Sequence, residues 1–580
     1  MEKQALLGPP APRRIDQGRR PASQTALSIA VIATWATLSW CFLVPRLNPR
    51  PRNAEPPFRE YAGESIRWRP CGDLECGSVH VPMDHLATPD ARSDDKTFAV
   101  PLVRMRGRAD APNLLVLPGG PGASGTRFMH DAAGALRTLV GDHFHIVGFD
   151  PRGTNSSTPP ATCFADAASR HRARPRRATD LIRDSPYLYA WSTNYGRACQ
   201  DNAAPHLSHV NTPQTAADIN SILDALGQPT LLYWGVGYGA LLGQVYATLF
   251  PRRVARMVLD GIVDQRAWFG DMLDGQRYAD TEAVVDGFFA ECVRAAGPDA
   301  CALNRRLGKT TGGGAALRAN LTSVINALYR TPASAYANGT AFGVVDDFAA
   351  RIGAVFREMR APARWPALAR RLADLQAGDA TGVFLAYGGS DDALPEAGLA
   401  VRLNDGPSGP AFWPQPRLRL MEMLLPYLDQ HRFAAGDMLA WHVRQQWAVP
   451  RTHAYHVPPG AVRTAAPLLL MAATRDPVTP YAAARAALKT FAGARLVALD
   501  AYGHASLAMP SLCVAAHLRA YLARGSLPEE NVVCEMDGAY FPSPGAEEQG
   551  PGYYGPEERA ILAAQRALAE SIHEVSLHVT

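Results

Sequence analysis

Residues 230–261 constrain the fold more than any other stretch of the chain. A short apolar run, TLLYWG, meets a turn rich in glycine, Gly235-Val236-Gly237-Tyr238-Gly239. A helical stretch over residues 240–249 follows, and then a second apolar run, VARMVLDG. Strand, tight turn, helix and strand make a parallel crossover unit, and parallel strands are normally buried on both faces beneath helices. A turn of the form G-x-S-x-G in this setting lifts a serine hydroxyl above the sheet, because only small neighbours permit the strained backbone. Here the middle position is Gly237. The five residues are compatible with an ordinary glycine-rich connection or with a nucleophile turn that lacks its nucleophile.

The same alternation runs through the rest of the body. SVHVPM, TFAVPLVRM, NLLVLP and HFHIVGFD read as strands, and residues 212–226 read as a helix. That helix opens with Thr-Pro and carries Ala216, Ile219, Ile222, Leu223 and Leu226 at helical spacing. Residues 265–465 differ: Ala-, Leu- and Arg-rich segments such as ALRANLTSVINALYR and APARWPALARRLADLQAG, broken by Gly and Pro, predict an inserted helical cap. Sheet-like runs return at PLLLMAATRDPVTP and RLVALDAYGH, followed by the helix SLCVAAHLRAYLA. The expected class is α/β, a mostly parallel sheet flanked by helices. Its core occupies residues 66–264 and 466–535 around the cap, and a tail over 536–580 closes with one helix.

A chain of 580 residues, 47% hydrophobic, can bury such a core. Lys plus Arg number 58 against 54 Asp plus Glu, so the net charge of +4 is spread too thinly to favour nucleic acid as a partner. Residues 26–44 are 19 consecutive positions without a charge, long enough to span a bilayer and followed at once by Pro45 and Arg46 rather than by a cleavage site. This predicts a cytosolic tail (1–25), a transmembrane signal anchor (26–44), a linker (45–65) and a single-pass type II protein whose body is lumenal or extracellular. Arginines flank both ends of the span, so the positive-inside rule adds little. Beyond Cys41 the cysteines fall into four close neighbouring pairs: Cys71 with Cys76, Cys163 with Cys199, Cys292 with Cys301 and Cys513 with Cys534. An even count on the far side of a membrane suits disulfides. Asn155, Asn320 and Asn338 open sequons that would accept glycans in a eukaryotic lumenal chain.

Other segments bear on the chemistry. LPGGPGASG (117–125) follows a buried strand, and its glycines expose amides where an oxyanion could be held. Asp476 lies just beyond PLLLMAA and His504 just beyond RLVALD. Both stand at strand C-terminal ends, in the chain order nucleophile, acid, histidine. With the opening IRWRPCGDLECGSVHVPMDH, the FDPRGTNSSTP segment, RDPVTP, and GHASLAMPSLC with CEMD downstream, the chain resembles the proline iminopeptidase and tripeptidyl aminopeptidase family of α/β-hydrolase serine exopeptidases, in its fungal membrane-anchored form. The resemblance covers residues 66–535, loosely in the cap. It implies the α/β-hydrolase fold, removal of N-terminal residues or short peptides, and no metal or organic cofactor. It places the acid at Asp476, the base at His504, oxyanion amides at Gly119, Gly120 and Tyr238, and the nucleophile at Gly237.

Glycine has no atom to attack with. Three readings follow: a pseudoenzyme that binds a peptide or a small ester or amide, a slow hydrolase in which His504 and Asp476 activate water directly, or a sequence error or variant of an ordinary exopeptidase. Ser124 and Ser506 are weak substitutes, one on the oxyanion loop and the other two residues past the base. His143, His145, His453 and His456 lack companions at metal-ligand spacing and are assigned structural or surface roles. Oligomeric state is not legible.

Overall fold

The computed structural model describes residues 58–88, 96–176, 178–273, 275–295, 300–306, 313–337, 339–388, 396–434, 438–543 and 554–577. The expected membrane anchor (26–44), its cytosolic tail and Asn338 lie outside them. Among the described residues no helix is long and apolar enough to cross a membrane.

The sheet is built from β1 (Arg69–Cys71), β2 (Leu74–Pro82), β3 (Thr97–Met105), β4 (Asn113–Leu117), β5 (His145–Phe149), β6 (Leu231–Val236), β7 (Val254–Asp260), β10 (Leu469–Arg475), β11 (Arg495–Tyr502) and β12 (Val532–Cys534). A separate hairpin holds β8 (Ala333–Ala337) and β9 (Ala341–Val345). The main sheet runs in the order β1-β2-β3-β5-β4-β6-β7-β10-β11-β12. β1, β2 and β3 pair antiparallel and β3 joins β5 antiparallel; every pairing from β5 to β12 is parallel.

The central strands have no polar face because both faces are covered. Leu114 and Val116 of β4 enter one apolar core while Leu115 and Leu117 enter the other, and Leu469 and Met471 of β10 part in the same way from Leu470 and Ala472. Successive strand side chains point to opposite faces, so continuous Leu and Val runs are what two helical layers demand. The first core takes helices Gly125–Val140, Leu512–Arg524 and Pro556–Leu577; the second takes Thr212–Ala225 and Tyr238–Leu249. The helix at Thr212 starts one residue after its cap, Asn211, whose side chain accepts from the Gln214 amide.

The chain leaves the sheet after Asp260 and returns at Leu469, and β7 and β10 are direct neighbours. The intervening segment is not purely helical, in contrast to the cap that its composition predicts. It contains the β8–β9 hairpin, whose outward residues Tyr336, Phe342 and Val344 are exposed. The helix Met438–Gln446 near its end packs against Leu181–Leu207 of the body.

All four neighbouring cysteine pairs are disulfides: Cys71–Cys76, Cys163–Cys199, Cys292–Cys301 and Cys513–Cys534. Two of them have a histidine nearby, His130 and His517, but a disulfide sulfur is not the thiolate that a metal needs. Asn320 is exposed and accepts from Gln376. Asn155 is exposed, yet its Nδ2, the atom a glycan would occupy, donates to Asp150 at 2.8 Å.

Candidate active site

Gly237 sits between the end of β6 and the helix Tyr238–Leu249, at φ 58° and ψ −113°. This is the left-handed side of the map, where a side chain is strained. The neighbours share the crowding: a Cβ on Gly235 or Gly239 would come within 2.4 Å of main-chain atoms, so only glycine fits at either position. The Gly237 amide donates to the Asp260 carbonyl at 2.9 Å, pinning the turn to the end of β7.

His504 follows β11 and Asp476 follows β10. The imidazole Nδ1 lies 2.8 Å from Asp476 Oδ2, and the other ring nitrogen faces the turn: a Cβ on Gly237 would stand 3.2 Å from His504 Nε2. The Asp476 carboxylate is fully buried and accepts from the amides of Val478 (2.9 Å), Thr479 (2.8 Å) and Ala505 (2.8 Å) and from the Thr479 hydroxyl (2.6 Å). Burial works to raise its pKa, but His504 and these donors outweigh it and hold the carboxyl below its ordinary value. Ala505 takes φ 65°, a backbone strain of the kind found beside functional groups.

The loop after β4 approaches the same point. A Cβ on Gly119 would lie 3.6 Å from Gly237 Cα and 3.8 Å from His504 Nε2, and Gly120 adopts φ 83°. The amide of Tyr238 opens its helix and has no carbonyl within the helix to reach. Gly119, Gly120, Tyr238, Gly237, Asp476 and His504 therefore converge, although they are spread over nearly 400 positions.

The two alternative serines are engaged elsewhere. Ser124 caps the helix Gly125–Val140 by accepting from the Arg127 amide and donates to Asp150 at 2.7 Å. Ser506 is buried and donates through both amide and hydroxyl to Asp260, each at 2.7 Å. The FDPRGTNSSTP segment braces the start of the helix Gly125–Val140 through Asp150. Asp150 also accepts from Thr126 and Asn155, and Arg152 pairs with buried Asp218. His145 accepts from the Gly107 amide, His453 pairs with Asp84, and His143 and His456 are exposed.

Sequence reasoning missed several residues here. Thr479 touches both members of the pair, 2.6 Å from Asp476 Oδ2 and 3.1 Å from His504 Nδ1. The signal was present in RDPVTP as a hydroxyl three residues after the acid. Asp260 is buried beneath the site, and burial above all raises it to about 6. Trp268, Arg277 and Arg360 come from the segment between β7 and β10 and line, with Gly237 and His504, a cavity of about 130 Å³.

Comparison with known proteins agrees with this architecture. The family described as alpha/beta hydrolase fold matches residues 112–317, and the one described as TAP-like protein matches residues 432–534. The chain is 28% identical over 558 residues to the serine protease Hip1 of Mycobacterium tuberculosis, covering 90% of this chain and 99% of that one. It is 34% identical over 237 residues to a tripeptidyl aminopeptidase of Streptomyces lividans, covering 37% of this chain and 42% of the other. Carboxylesterase B of Mycobacterium tuberculosis is 27% identical over 545 residues, 89% of this chain and 98% of that one.

Proposed function

We infer, for a chain of the α/β-hydrolase fold that is related to serine peptidases and aminopeptidases, that its cavity binds a peptide or a small ester or amide and that Gly237 deprives it of acyl-enzyme chemistry. The observation that carries this reading is Gly237 itself: the strained turn, the histidine and the aspartate surround a residue with no attacking atom. With a serine there, His504 Nε2 would take the hydroxyl proton and Asp476 would hold the Nδ1–H and the imidazolium that forms. The amides of Tyr238 and of the Gly119–Gly120 loop would receive the oxyanion. Without it, related chemistry loses roughly a million-fold in turnover. Residues 26–44 would tether this binding body to a membrane, with the four disulfides on its oxidising side.

A second reading has its own observation. Asp476, itself held by neighbouring donors, fixes His504 through Nδ1 and so turns Nε2 toward the Gly237 turn, the arrangement that direct activation of a water by Nε2 requires. One comparison separates the two. The unaltered protein, the Gly237→Ser variant and a His504→Ala variant are assayed on aminoacyl and tripeptidyl reporter amides and short-chain esters. Turnover in the serine variant alone supports the binding protein. Comparable turnover in the unaltered protein, abolished by His504→Ala, overturns it in favour of water activation.

A further inference from the structure

The cavity beside His504 carries a charge pattern that peptide-bond chemistry does not use. Arg277 and Arg360 both line it. Their guanidinium groups ride on two packed rings: Arg277 lies 5.3 Å over Tyr278, Arg360 lies 5.9 Å over Phe356, and the two rings meet edge to face at 5.8 Å. Arg360 is also joined to the base, because its carbonyl accepts from the His504 amide at 2.9 Å.

Two carboxylates stand close to these groups. Glu358, two residues before Arg360, pairs with Arg364 at 2.8 Å and offsets part of the Arg360 charge without hydrogen-bonding it. Asp264, the acid that lines the cavity, uses Oδ1 to accept from the amides of Arg266 and Ala267 and so caps the helix Gln265–Gly270. Among the described residues the Arg360 guanidinium makes one hydrogen bond, from Nε to the Arg357 carbonyl at 3.3 Å. Burial first, and then the charges of Arg357 and Arg277, pull it down to about 10, so it remains a cation at neutral pH. A buried guanidinium with a single long hydrogen bond has donors that an anionic ligand would satisfy.

We propose that the ligand of this cavity carries a carboxylate, seated on Arg360 with Arg277 beside it and its acyl portion toward His504. A short peptide held by its C-terminal carboxylate fits this chemistry. An α-ammonium, the group an aminopeptidase must hold, would instead be repelled by the Arg360 cation at that seat. The proposal rests on the reading of this cavity as the ligand site.

Isothermal titration of the unaltered protein with acetyl-Ala-Ala, acetyl-Ala-Ala amide and Ala-Ala amide tests it. The free carboxylate is expected to bind about tenfold tighter than the neutral amide, the value of a charge-assisted hydrogen bond, and the free amine weakest of all. In Arg360→Gln the gap between acid and amide closes to within about twofold, while Arg360→Lys, which keeps the charge but not the fork, retains part of it. Thermal melts establish that each variant folds, and Arg277→Gln is held to the same criterion should Arg360→Gln not fold. Equal affinity for acid and amide, preference for the amine, a preference untouched by Arg360→Gln, or no binding at millimolar probe each overturns the carboxylate. The Gly237→Ser variant on neutral esters reports on the underlying reading. Turnover there without carboxylate preference removes only the carboxylate, whereas neither turnover nor binding removes both.

Discussion

At Gly237 the chain avoids a strain that a serine would have to bear. With φ at 58°, a Cβ would stand 3.1 Å from Gly119 Cα and 3.2 Å from His504 Nε2, so these neighbours must give by a few tenths of an ångström. Gly237→Ser is therefore expected to lower unfolding free energy by about 1–3 kcal/mol even where it restores turnover, the usual cost of a side chain in that region. Urea denaturation beside the activity assay reads both effects. Asp260 gives a pH-dependent test. Its folded pKa, about 6, lies above the ordinary carboxylate value of 3.8, so its contribution is fully present below pH 3.8 and is lost as pH rises through 6. Asp260→Asn keeps the shape without that penalty. The stability of the variant relative to the parent should climb by about 2–3 kcal/mol between pH 4 and pH 7, since each pH unit separating the folded and unfolded pKa is worth about 1.4 kcal/mol. A flat difference in urea midpoints across that range would remove Asp260 as a titrating group. Asp476 and His504 were legible because each ends a recognisable strand. Asp260 was visible in VARMVLDG, but its role depends on Ser506, which folding brings from 246 positions away.

The strands were legible for a reason that also explains the omissions. The LLVL of β4 and the LLMAA of β10 are unbroken apolar runs because helices cover both faces of the sheet. β1 and β12 have three residues each, too few to show a period. β8 and β9 read ASAYA and AFGVV, with Ala335 and Val345 buried and Tyr336, Phe342 and Val344 exposed, so apolar residues lie on both faces and no polar alternation marks them. The disulfides were legible as neighbour pairs because each closes a short loop. Cys163–Cys199 closes the longest, with a separation of 36, and ties the loop that follows the FDPRGT segment to the helix Leu181–Leu207. Replacing both cysteines by alanine should cost about 3–4 kcal/mol by the loop-entropy relation. Guanidinium unfolding of parent and double variant checks this, and a loss within error of zero would mean that the buried Glu396 carboxylate, which accepts from the Cys163 amide and Thr162 hydroxyl, holds the loop unaided.

At the scale of the whole molecule, the elements that carry the site pack against chain that does not line its cavity. The closing helix Pro556–Leu577 packs along Gly125–Val140, the helix that begins where the oxyanion loop ends. Leu568 is fully buried there, with Ile572 and Val575 beside it. Gln565 bridges to Ser511 in both directions, accepting from its amide at 3.0 Å and donating to its carbonyl at 3.1 Å, just after the loop that carries His504. The tail segment GPEERAILAAQRALAES reads as one closing helix, but sequence alone could not say what its apolar face covers, because that partner lies more than 400 positions earlier. Leu568→Ala opens a cavity between these two helices and should cost about 2–5 kcal/mol. If the helix supports the oxyanion loop, the same change in a Gly237→Ser background lowers turnover at temperatures well below its melting point. Unaltered turnover in that double variant, despite the lost stability, would restrict the helix to covering the sheet and leave the loop held by Asp150 and Ser124 alone.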